Sequence, residues 1–118
     1  MPELPEVEMF RRYFDRTSLR QKIKEIRLYS PEMLRGISPK KLREELKGHE
    51  FVSTDRQGKY LFGELDTGKD LVLHFGMTGH LKYFIDPKQA PSYVRLLIQF
   101  ANGYNLAFDC LRKLGKIS

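Results

Sequence analysis

After Gly48 the chain breaks into six short stretches, "EFVSTDR", "KYLFGEL", "DLVLHFG", "HLKYFI", "YVRLLIQF" and "YNLAFD", separated by Gly, Asn and Asp turns. Each has the length and the β-branched or aromatic content of a strand. Parallel strands need a crossover of a dozen or more residues, usually a helix, and these gaps lack a βαβ rhythm. The half of the chain after Gly48 therefore reads as an antiparallel meander.

Two helices precede and flank this β region. Leu4, Val7, Phe10 and Phe14 recur at helical spacing and predict a helix from about Pro5 to Arg16. Pro5 suits the first turn, where its missing N–H costs nothing, and Glu6 and Glu8 favour the positive end of the helix dipole. "KIKEIRLY" reads as a further strand. A second helix is framed by Ser38 as cap, Pro39 in the first turn, Leu42 and Leu46 one turn apart, and Gly48 at its end. Two helices with six or more strands predict a two-layer α+β or β-sandwich fold with flanking helices, in a single domain over residues 1–118.

The 21 Lys and Arg outnumber 15 Asp and Glu, a net charge of +6 that suits a polyanionic partner. Cys110 is the only cysteine, which rules out an internal disulfide and leaves a zinc site only scattered His and carboxylates to draw on. No apolar run approaches the roughly 20 residues of a membrane span, and the amino terminus lacks the pattern of a signal peptide. A reducing, cytoplasmic setting and no membrane partner are the corresponding expectations.

The amino-terminal "MPELPEVE" carries chemistry. Removal of Met1 would leave Pro2 with a free secondary amine, which can attack a carbonyl-level carbon and form an iminium, an electron sink that permits elimination. With Met1 attached, the same nitrogen is an amide and cannot act. An α-amine titrates near roughly 7.7–8.0, and a neighbouring helix amino terminus disfavours its protonated form. Glu3 can move protons beside it. The alternative for these residues is a simple helix start.

At this point the sequence resembles the formamidopyrimidine-DNA glycosylases of the Fpg/Nei family of base-excision repair enzymes. The likeness rests on "MPELPEVE", "GKYLF" with Lys59, "HFGMTGHL" with His74 and Met77, and "LRKLGKI" with Arg112, in the family's order. It covers the whole chain and implies the family's amino-terminal domain, a two-layer antiparallel β-sandwich flanked by two α-helices. The family's helix–two-turn–helix and zinc-finger domains have no counterpart here, so the expectation is a domain fragment whose partners are damaged double-stranded DNA and the missing carboxy-terminal domains.

The resemblance assigns roles by position. Pro2 is the nucleophile and Glu3 its proton-transfer partner, and Lys59 contacts the lesion phosphate and assists β-elimination. His74 contacts the DNA backbone, and Met77 fills the space left by a flipped base, offsetting the few kcal/mol of lost stacking. Arg112 faces the orphaned base and Lys113 a phosphate. Leu114 stands where the family often has an aromatic wedge, which implies weaker intercalation, and Pro91, Ser92 and Tyr93 stand where the family tends to have His-x-His. No metal or organic cofactor enters this chemistry.

The implied activity is removal of oxidised purines with associated AP lyase (β/δ-elimination) through a proline Schiff base. Two other classes compete with it. One is a catalytically incompetent fragment that only grips DNA weakly and non-specifically, with a steep salt dependence. The other is a small tautomerase using an amino-terminal proline as base, which would have no use for Lys59, Met77 and Arg112 in this order.

Overall fold

The computed structural model describes residues 4–76, 78–110 and 115–118, with side chains from Glu6 onward. Helix α1 spans Leu4–Ser18 and helix α2 Pro39–Leu46. The strands are β1 (Ile23–Leu28), β2 (Phe51–Gln57), β3 (Tyr60–Leu65), β4 (Asp70–His74), β5 (Gly79–Phe84), β6 (Val94–Phe100), β7 (Asn105–Cys110) and β8 (Lys116–Ile117). Short 3-10 turns lie at Pro31–Met33 and Pro87–Gln89. All six stretches read after Gly48 form strands, and "KIKEIRLY" supplies β1.

The strands build two antiparallel sheets, ordered β1-β6-β7-β5 and β2-β3-β4-β8. This corrects the meander. β2, β3 and β4 do follow one another, but the loop after β4 carries the chain into the other sheet, where β5 pairs with β7 rather than β6. The connection from β5 to β6 runs through the 87–89 turn and is long enough to skip one strand position. β8 went unread because two residues carry no periodicity.

One apolar cluster lies between the sheets, with Leu61, Leu65, Leu71 and Leu73 from one and Leu96, Ile98, Leu106 and Phe108 from the other. Burying each such side chain contributes about 1.5–3 kcal/mol. α1 lies against β2, β3 and β5, and α2 against β1. Phe14 meets Phe51 edge-on at 4.9 Å, and Gly63 makes room for them, since a Cβ there would come within 3.0 Å of the Phe51 ring. α1 runs two residues past the expected Arg16, and in its last turn the Thr17 hydroxyl donates to the Tyr13 carbonyl at 2.8 Å. At α2, the Ser38 hydroxyl accepts from the Lys41 N–H at 3.1 Å, as its capping role requires. Among the described residues no helix is long and apolar enough to cross a membrane.

Candidate functional site

One end of the sandwich gathers three features: the β2–β3 turn, the end of β4 with the loop that follows it, and the start of β8. The turn is the two-residue link Gly58-Lys59 between Gln57 and Tyr60. Gly58 has φ +60° and Lys59 stays at negative φ, the type II′ pattern that matches the twist of a hairpin. Lys59 also accepts the Phe75 N–H through its carbonyl at 3.2 Å, tying the turn to the loop after β4.

Helix α1 is fastened to the same turn. Glu8 accepts hydrogen bonds from Arg11, Arg12 and, across to β2, from Arg56 Nε at 3.1 Å; Arg56 Nη1 in turn donates to the Gly58 carbonyl at 3.1 Å. The Arg11 hydrogen bond, followed by those of Arg56 and Arg12, holds the Glu8 carboxyl down at about 2. Further along the helix, Asp15 accepts from the Thr54 hydroxyl of β2.

His74 closes β4 opposite Tyr60, their ring centroids 4.5 Å apart. Among the described residues its buried Nδ1 has no hydrogen-bond partner. A neutral ring that leaves Nδ1 unprotonated carries its proton on Nε2 as a donor. Burial first, then the charges of Lys116 and Lys59, hold its pKa below the ordinary histidine value.

Phe75 anchors the loop that follows. It is fully buried, stacks on Phe10 of α1 at 5.3 Å and meets Phe108 of β7 edge-on at 5.4 Å. Its carbonyl accepts the Gly79 N–H at 2.9 Å, closing a five-residue loop with Gly76 at φ +59°. A Cβ on Gly79 would lie 2.5 Å from that carbonyl oxygen, so only glycine fits. Gly115 is equally constrained, its virtual Cβ lying 2.5 Å from the His74 carbonyl oxygen and 3.3 Å from Cys110 Sγ. Burial pushes the Cys110 thiol up to about 11, which makes it packing rather than a nucleophile.

Of the residues singled out from the sequence, Lys59 and His74 are brought together here. Pro2, Glu3, Met77, Arg112, Lys113 and Leu114 lie outside the described residues. Sequence reasoning missed Lys116, Tyr60, Phe10 and the Glu8–Arg56 tie. Tyr60 had a legible signal, an aromatic at an outward strand position beside Lys59; Lys116 had none. Among the described residues no three His, Cys, Asp or Glu side chains gather to hold a metal ion.

The sequence profile of the formamidopyrimidine-DNA glycosylase N-terminal domain matches residues 1–117. Formamidopyrimidine-DNA glycosylase of Desulfitobacterium hafniense is 32% identical over 117 residues, covering 99% of this chain and 42% of the relative. That of Pelobacter propionicus is 37% identical over 118 residues, covering all of this chain and 43% of the relative. The chain thus spans less than half the length of these curated relatives. Among solved structures, the complex of Lactococcus lactis Fpg (MutM) with FAPY-dG-containing DNA superposes with a TM-score of 0.88 at 30% identity, over 98% of this chain and 43% of the other. The Lactococcus lactis Fpg complex with abasic-site DNA gives 0.86 at 31% identity, over 98% and 42%.

Proposed function

The chain belongs to the formamidopyrimidine-DNA glycosylase N-terminal domain family, and from that premise we propose that it is the catalytic half of a base-excision repair glycosylase acting on oxidised purines in duplex DNA, working with carboxy-terminal domains of the same architecture. Freed of Met1, Pro2 attacks C1′ of the damaged nucleotide; the C1′–base bond breaks and the base leaves with a proton. Opening of the sugar gives an iminium between Pro2 and C1′. Loss of a C2′ proton then expels the 3′ phosphate, and a second elimination expels the 5′ phosphate. Glu3 moves the protons and Lys59 steadies the phosphate. Met77 fills the gap left by the flipped base, Arg112 faces the orphaned base, Lys113 binds a phosphate and Leu114 serves as the wedge.

The observation that carries this reading is the convergence of Lys59, His74 and the start of α1 on one end of the sandwich, with α1 tied through Glu8 and Arg56 to the very turn that holds Lys59. Its test is single-turnover incision of a duplex containing 8-oxoguanine or a formamidopyrimidine. Pro2→Gly and Glu3→Gln, each with Met1 confirmed absent, are expected to lose activity by several orders of magnitude while still binding DNA; unchanged turnover in Pro2→Gly overturns the mechanism.

A further inference from the structure

Lys116 completes a row of side chains that crosses an entire sheet. Gln57 pairs with Tyr60, Tyr60 with His74, and His74 with Lys116, so one residue from each of β2, β3, β4 and β8 lies in line. The row is on the outer face, because the next residues inward, Leu61, Leu73 and Ile117, are all buried. Lys59 adjoins it from the turn. Four residues further along the strands the same face carries Ser53, Glu64 and Asp70, again paired in line. The face is therefore acidic at one end and basic at the other.

Three lysines elsewhere, Lys41 and Lys69 at Glu45 and Lys47 at Glu25, spend their charge on carboxylates. Among the described residues neither Lys59 nor Lys116 has such a partner. Both lie close enough to His74 to act on its ring charge, so the three side chains bring positive potential to one spot, which attracts an anion. His74 adds a ring held in place by the Tyr60 ring packed against it, and its Nε2 donates in the tautomer that leaves Nδ1 unprotonated.

We propose that Lys116, together with Lys59 and His74, forms a phosphodiester cradle for the DNA backbone, with Lys116 as its third donor. The inference rests on the reading of this chain as a DNA repair domain and adds a phosphate-binding residue to it. A phosphodiester fits because its tetrahedral oxygens accept from donors converging from several strands, and such contacts set position and not sequence.

The test is equilibrium binding of the full chain to a short labelled duplex, intact or carrying a tetrahydrofuran abasic analogue, from 50 to 200 mM KCl. Lys116→Gln is compared with Lys116→Arg and with Lys40→Gln, which makes the same charge change on exposed α2. One lost phosphate contact lowers the salt slope by about 0.9, so the ratio of native to Lys116→Gln affinity should fall about 3.5-fold across that range. The loss should be equal on both duplexes, absent in Lys40→Gln and restored in Lys116→Arg. Lys116→Gln behaving as Lys40→Gln does, a loss confined to the damaged duplex, or no DNA binding by the native chain would each overturn the proposal. Failure of the catalytic reading is separable, since it shows as Pro2-independent turnover while these slopes keep their difference.

Discussion

The Phe10 ring lies nearly flat on Phe75, 5.3 Å between centroids and 13° between planes. This stack joins the amino-terminal helix to the residue whose carbonyl closes the 75–79 loop, so the two ends of the candidate site share one aromatic contact. Phe10→Ala removes a half-buried ring and its stacking and should cost about 2 kcal/mol, with Phe10→Leu costing less than half of that. Thermal or urea unfolding of the two variants checks the order.

Gly79 and Gly115 are fixed by space and not by turn conformation. A methyl at either would lie 2.5 Å from a backbone oxygen, Phe75 O or His74 O, and backbone cannot swing aside as a side chain can. Gly79→Ala and Gly115→Ala should each destabilise the fold by about 1–3 kcal/mol, the range of overpacking. Gly68, at φ +88° with nothing near its virtual Cβ, offers a comparison in which strain alone acts. Urea midpoints of the three alanine variants separate clash from strain.

His74 should titrate below the ordinary histidine value, chiefly from burial and then from Lys116 and Lys59. A histidine whose folded pKa is depressed contributes fully above its unfolded pKa, near 6.5, and that contribution is lost as pH falls from there. Lys116→Gln and Lys59→Gln should each raise the His74 pKa part of the way back, leaving the burial component. Histidine ring signals followed by NMR against pH read this directly.

Glu8 has the opposite chemistry. Its folded pKa of about 2, against an ordinary 4.5, means that its contribution is present above the ordinary value and disappears as pH falls through about 2. Glu8→Gln should flatten the acid limb of the stability curve between those values. It should also loosen Arg56 from the 58–59 turn, read as faster amide exchange at Lys59 and Tyr60.

Strands of five to seven residues were legible because β-branched or aromatic content and turn residues agree, as in Tyr60–Leu65 and Asp70–His74. The α2 cap was legible from Ser38 and Pro39 alone. Sheet order was not, because the step from β4 into the other sheet depends on the Phe75 carbonyl and Gly79, a contact with no sequence period. Lys59 and His74 were found through the resemblance; nothing local distinguishes them from other strand-end residues. Lys116 escaped because its significance comes from pairing with His74, 42 positions earlier in the chain.

The central claim is that the Pro2 nitrogen does the chemistry. Borohydride reduction on duplex DNA with an abasic site, once mass spectrometry has established that Met1 is gone, captures the iminium as a permanent cross-link. The account predicts a cross-link in the native chain that peptide mapping places on the Pro2 nitrogen. A cross-link mapped to a lysine side chain, or none from a Met1-free native chain that binds the same DNA, would contradict it.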